Sequence, residues 1–124
     1  MVLKNNAGVE ESRVRHLDYT IQMSKIFLNR LLSGDNITLF CPHEAKELYE
    51  AWGRDDFDQL YTEYEARTDL KLTRSVPAKE LFDLFVKERV ETGRIYVMFI
   101  DHVNTHGAWR HAQMSNLCME IFTP

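Results

Sequence analysis

Ile95-Tyr96-Val97-Met98-Phe99-Ile100 is a run of six apolar residues rich in strand formers. Such a run, with no polar alternation, suits a strand buried on both faces, as in parallel sheets covered by helices. A helical pattern precedes it. Pro77 fits a first helical turn, Leu81, Leu84, Phe85 and Glu88 mark one face, and Gly93 ends the element. Further upstream, Ile37-Thr38-Leu39-Phe40 reads as a short strand stopped by Pro42. His43 to Trp52 reads as a helix closed by Gly53, and Asp55 as the cap of another carrying Phe57, Leu60, Tyr61 and Tyr64. Glu65 to Arg74 reads as a charged, exposed linker.

Nearer the start, Leu17, Ile21, Ser24, Leu28 and Leu31, widened by Phe27 and Leu32, predict a helix from about Val14. Gly34 caps it and Asp35-Asn36 turns the chain. Residues 1–10 read as a loop or a strand end. Beyond the apolar run, His102 to Gln113 is polar and Met114 to Phe122 alternates. Strands interleaved with helices argue for an α/β architecture. Only two or three strands are evident, fewer than a stable parallel sheet usually has. Residues 1–124 therefore read as one partial domain of a larger α/β body.

Composition narrows the function classes. The 124 residues include 44% hydrophobic and 27% charged side chains, an ordinary globular balance. Fifteen Lys and Arg against nineteen Asp and Glu give a net charge of −4, with no basic patch for a nucleic-acid backbone. No run is long enough to span a bilayer, and no export signal stands at the N-terminus. Cys41 and Cys118 do not make a disulfide framework, so reduced thiols in a cytoplasm are the expectation.

The segment that carries chemistry is Ser115-Asn116-Leu117-Cys118-Met119-Glu120-Ile121. In an extended strand Asn116, Cys118 and Glu120 would share one face, successive members about 7 Å apart, with Leu117, Met119 and Ile121 turned into packing. Spacing alone favours an edge strand with a wetted polar face and an incidental cysteine. A carboxylate neighbour disfavours a thiolate, so this is not an obvious nucleophile. Hydrogen-atom chemistry by a thiyl radical tolerates that neighbour.

The heptad resembles the active-site loop of the class I ribonucleotide reductase large subunit. Leu3-Lys4-Asn5-Asn6, Gly8-Val9-Glu10, Arg13-Val14-Arg15-His16, Leu17-Asp18-Tyr19, Ile37-Thr38-Leu39-Phe40 with Pro42-His43, Thr92-Gly93-Arg94-Ile95-Tyr96 and Asp101-His102-Val103-Asn104-Thr105-His106 resemble the same family, in the same order. Several ordered motifs outweigh the reading from spacing. The resemblance implies part of a ten-stranded α/β barrel. It assigns Cys118 the thiyl radical that abstracts the ribose 3′-hydrogen, Glu120 the general base for the 3′-hydroxyl, and Asn116 a hydrogen bond to the substrate hydroxyls. It implies a ribonucleoside diphosphate substrate and a separate small subunit holding the metal-radical centre. Nucleoside triphosphate effectors would bind elsewhere, and no cofactor would bind this chain itself.

The chain also departs from the family. Gly107 to Met114 is a shorter connection than expected, Cys41 stands where serine is expected, and Met98 and Phe99 replace common polar residues. The family's reducing cysteine pair, relay tyrosines, C-terminal cysteines and nucleotide-binding domain have no counterpart here. The expectation is a chain inactive alone, needing the remaining segments of the large subunit. The alternative is a non-catalytic interaction fragment.

Two further groupings have plainer readings. His102, His106 and His111 with Asp101 suggest zinc or iron only if a helix brings the first two together. Asn104 and Gly107 argue against a helix, which leaves a loop of internally bonded histidines. Arg13, Arg15 and His16 would suit phosphate, but a solvated helix start or ion pairs is the simpler reading.

Overall fold

Two parallel strands frame the chain. In the computed structural model, which describes residues 9–13, 18–109 and 111–124, β1 (Tyr19–Met23) pairs with β4 (Ile95–Phe99). The register runs from Tyr19 opposite Ile95 to Met23 opposite Phe99. Between them lie α1 (Lys25–Ser33), β2 (Asn36–Phe40), α2 (Lys46–Glu50), α3 (Phe57–Glu65), β3 (Thr73–Pro77) and α4 (Ala78–Thr92). After β4 come α5 (Ile100–His106) and a small antiparallel hairpin, β5 (Met114–Ser115) with β6 (Phe122–Thr123). A 3-10 turn covers Glu10–Ser12. The mixed α/β expectation holds, and no closed barrel is present among the described residues.

The apolar run forms a strand as expected, but not one buried throughout. Ile95 and Met98 are buried, Tyr96 and Val97 partly so, and Phe99 is exposed. Ile100, also buried, already belongs to α5. The two sheet faces differ. Met23, Ile95, Ile21 and Val97 pack with Phe85 of α4 and Phe27 and Leu28 of α1. Met98 packs on the other side with Ile100 and Ala112, joined by Trp52, Met119 and Phe122.

The first helix begins later than its periodicity suggests. Tyr19–Met23 is a strand, and α1 starts at Lys25 behind Ser24, whose Oγ accepts the Phe27 amide at 3.4 Å. Ile21 of the strand and Phe27 and Leu28 of the helix enter the same cluster, so strand and helix together mimic one helical stripe. Gly34 caps α1 in the left-handed region, as expected. The start at Val14 and the contribution of Leu17 lie outside the described residues, as do Leu3 to Gly8, Arg15 and His16.

The strand at Ile37–Phe40 is found, extended by Asn36. Its partner β3 lies across the end of the expected linker and pairs antiparallel. Only Val76 of β3 is buried, so its sequence carries no alternation to read. The helix expected at His43–Trp52 is only Lys46–Glu50, because Glu44 and Ala45 amides both turn back to the Cys41 carbonyl. The α3 cap is Asp56, not Asp55, and makes no side-chain cap bond. In α4, Ala78, Phe85 and Glu88 are buried and Gly93 ends the helix. Glu88 is 1% exposed, and its Oε2 has no hydrogen-bond partner among the described residues.

Candidate active site

The hairpin carries the candidate catalytic side chains. β5 and β6 are two residues each, and the residues between them form a tight loop rather than an extended strand. The Asn116 amide donates to the Ile121 carbonyl at 3.1 Å, and the Met119 amide to the Asn116 carbonyl at 3.3 Å. The second bond closes a turn with Leu117 and Cys118 at its centre. Met119 then takes a positive φ of 67°. That reversal overturns the expected strand alternation. Met119 alone of the three apolar residues packs inward, against Met98, Ile100 and Ala112. Leu117 is 70% and Ile121 57% exposed. Extended backbone would have hidden both, but the turn swings them out.

Asn116, Cys118 and Glu120 thus share one short loop, though not one strand face. Asn116 Oδ1 accepts the Ile121 amide at 3.0 Å, so this side chain holds the loop closed. Its Nδ2 has no partner among the described residues and remains a donor. The Cys118 thiol is free and exposed at the turn, and Glu120 is exposed beside it. Cys41 is also a free thiol, half-buried at the end of β2, where its amide donates to the Leu72 carbonyl at 3.1 Å.

Residues outside the heptad seat this loop on the sheet. Thr20 of β1 approaches Met119 Sδ at 3.3 Å through its hydroxyl, and Ser115 Oγ approaches the same sulfur at 2.7 Å. Gln22 donates from Nε2 to the Gln113 carbonyl at 3.3 Å and accepts the Trp52 indole N–H at 2.6 Å. Asn104 of α5 accepts the Ala112 amide at 2.8 Å and donates to the Gly53 carbonyl at 2.7 Å. Sequence reasoning missed these supports. Thr20 and Gln22 are the polar alternate positions of a strand read as helix, and Asn104 lay in a segment read as loop.

That segment is helical, contrary to expectation. Asn104 does not break α5, because its amide is spent on partners beyond the helix. His102 and His106 do face together, ring centres 5.8 Å apart, with His106 Nδ1 3.2 Å from the His102 carbonyl. Among the described residues no three His, Cys, Asp or Glu side chains gather as metal ligands. Asp101 serves instead as a cap, accepting the Lys25 amide of α1 at 2.6 Å. Asp58 of α3 approaches the same helix start. Burial, then the Asp101 charge, pushes its carboxyl above the usual range.

The chain belongs to the family of the ribonucleotide reductase barrel domain, whose model matches residues 1–124. It is 48% identical over 130 residues to the ribonucleoside-diphosphate reductase 1 subunit alpha of Escherichia coli (strain K12), covering 100% of this chain and 17% of that protein. It is 43% identical to the subunit alpha of Enterobacteria phage T4, again over 100% of this chain and 17% of the relative. The large subunit of Plasmodium falciparum (isolate Dd2) is 36% identical over 96% of this chain and 15% of its own length. The chain thus spans about one-sixth of the length of the relatives it matches.

Proposed function

We propose that this chain supplies the radical-cysteine segment of a ribonucleoside-diphosphate reductase large subunit. The observation that carries the reading is the turn presenting an exposed, unpaired Cys118 between Asn116 and Glu120. In the proposed reaction Cys118 Sγ, as a thiyl radical, takes the hydrogen atom from C3′ of a ribonucleoside diphosphate. An S–H bond forms, a C–H bond breaks, and the unpaired electron passes to C3′. Glu120 accepts the 3′-hydroxyl proton, and Asn116 Nδ2 donates to a substrate hydroxyl. The 2′-hydroxyl leaves as water, the 2′-carbon gains a hydrogen as the reducing cysteine pair is oxidised, and the hydrogen atom then returns from Sγ to C3′, which restores the thiyl radical.

The oxidising equivalent would come from a metal-radical centre in a separate small subunit. The reducing electrons would come from a cysteine pair elsewhere in the large subunit, and nucleoside triphosphate effectors would bind outside this chain. No helix among the described residues is long and apolar enough to cross a membrane, and we place the reaction in the cytoplasm.

The test is turnover by the assembled large subunit that carries this chain, given its small subunit and a ribonucleoside diphosphate. Cys118→Ser is expected to abolish deoxyribonucleotide formation, and Cys41→Ser to leave it intact. Glu120→Gln should lower kcat by roughly 10²–10⁴-fold, the usual span for a lost general base. The chain alone should show no turnover. An active Cys118→Ser enzyme would refute the reading. It would favour the alternative of a non-catalytic docking piece, to which the exposed Leu117 and Ile121 also lend themselves.

A further inference from the structure

We infer that Asn104 is a positioning residue that fixes the Cys118 hairpin by bridging it to the glycine turn after α2. The kinetic part of this inference rests on the proposed function, but the structural part does not. Asn104 sits half-buried in α5, and both ends of its amide are engaged at good distances. Nδ2 donates to the Gly53 carbonyl at 2.7 Å, and Oδ1 accepts the Ala112 amide at 2.8 Å. The partners lie 51 residues before it and 8 after it, so one planar group joins three distant stretches of backbone.

The junction is built tightly. Gly53 is buried with φ +75°, and a Cβ there would lie 2.5 Å from Asn104 Nδ2 and 2.6 Å from Ile100 Cγ1. Only glycine lets the turn approach the amide this closely. At the other end Ala112 is 2% exposed. The next residue, Gln113, opens the hairpin by donating its amide to the Thr123 carbonyl at 2.9 Å. The Asn104 bond therefore acts at the hinge of the hairpin, where a small shift is carried to the Cys118 tip.

The other two supports are weaker as anchors. Gln22 reaches the hairpin through an exposed contact of 3.3 Å, and Thr20 reaches it through a sulfur acceptor. Hydrogen-atom transfer is sensitive to donor–acceptor placement, and a misplacement of about 1 Å at a reacting centre can cost about 10²-fold. Loss of a group that positions the Cys118 hairpin should fall mainly on kcat, with a smaller effect on KM because Asn116 rides on the same hairpin.

Two measurements test this. In the assembled large subunit, amide hydrogen exchange of Asn104→Ala should speed at Gln113 and Asn116 by about tenfold or more, as loss of a buried hydrogen bond predicts. The Cys41 amide, bonded to the Leu72 carbonyl and not to the hairpin, should keep its protection. In the assembled subunit the same variant should lose kcat by about 10²-fold, with a smaller rise in KM through Asn116. Asn104→Asp has the same shape and keeps an acceptor for Ala112, and it stands in where alanine unfolds the chain. It should free the Gly53 side of the bridge and give a smaller loss of kcat. Unchanged exchange at Gln113 and Asn116, or a rise in KM with kcat unchanged, would overturn the positioning role. An active Cys118→Ser enzyme would instead strike the functional reading and leave the exchange result standing.

Discussion

Two glycines with nearly the same backbone show how much a single residue's surroundings decide. Gly34 and Gly53 have φ of +78° and +75°, a region that costs other residues about 1 kcal/mol. A Cβ on Gly34 would meet nothing within 4 Å, whereas one on Gly53 would press on Asn104 and Ile100. Gly34→Ala should therefore destabilise by about 1 kcal/mol. Gly53→Ala adds overpacking and should cost about 2–4 kcal/mol in total. Urea denaturation of the two variants measures the difference. Equal midpoints would mean that the Gly53 turn relaxes freely and that its contact with Asn104 is loose. The same dependence on surroundings explains Asn116. One end of its amide closes the loop, which leaves Nδ2 without a partner among the described residues.

At the scale of elements, α1, β2 and α3 are locked by a polar junction. Arg30 of α1 forms a two-pronged ion pair with Glu65 of α3, one prong at 2.6 Å, and Glu65 also accepts the Thr38 hydroxyl at 2.6 Å. Tyr61 donates to the Thr38 carbonyl and accepts its amide, each at 2.6 Å. Burial works against the Glu65 charge, but the Arg30 and Thr38 hydrogen bonds outweigh it and hold the carboxyl below its usual range. Burial pushes the Tyr61 phenol up to about 12. The signs are opposite in consequence. Glu65 contributes stability that is present above its unfolded pKa of about 4.5 and is lost as pH falls through the lower folded value. Tyr61 contributes stability that is full below about pH 10 and is lost as pH rises towards 12. Melting temperature should thus be highest between these limits. Glu65→Gln should flatten the acid side, and Tyr61→Phe the alkaline side. If neither variant changes its limb, the junction does not govern the pH dependence. Legibility also divides along elements. α3 and α4 could be read because Tyr61, Tyr64 and Phe85 repeat at helical spacing, and β4 because it is apolar and bounded by Gly93. β1 and β3 could not. Tyr19–Met23 is a strand because β4 lies beside it, a contact 76 residues away that local periodicity does not carry. Thr73–Pro77 buries one side chain and is held by its ladder to β2. The candidates Asn116, Cys118 and Glu120 stand together in the sequence and in one loop of the fold, but their supports could not be read. Thr20, Gln22 and Asn104 act through the tertiary pairing that was unread.

At the scale of the whole molecule, the core is divided. Among the described residues the buried hydrophobic side chains fall into three clusters, of nine, three and three residues, bridged only by the partly buried Phe27 and Trp52, where a self-sufficient domain normally has one contiguous core. An open apolar cavity of about 520 Å³, lined by Phe27, Ile37, Phe40, Leu48, Trp52 and Phe85 among others, lies between β1 and β2. Among the described residues β1 and β4 pair only with each other, so each presents an unpaired edge. Leu117, Ile121, Met114 and Trp109 are exposed on and just before the hairpin. Two strands with open edges and uncovered apolar surface invite association. The isolated chain should therefore bind a hydrophobic dye such as ANS at neutral pH and sediment as a concentration-dependent mixture of species. Mild salt should not abolish this, because the exposed surface is apolar and ionic screening acts on charges. Combined with the rest of its large subunit, the chain should lose dye binding, as the edges and the cavity gain cover. A chain that is monomeric, dye-silent and melts in one cooperative transition would show that these clusters suffice. The open surfaces would then need another explanation than the docking of neighbouring barrel segments.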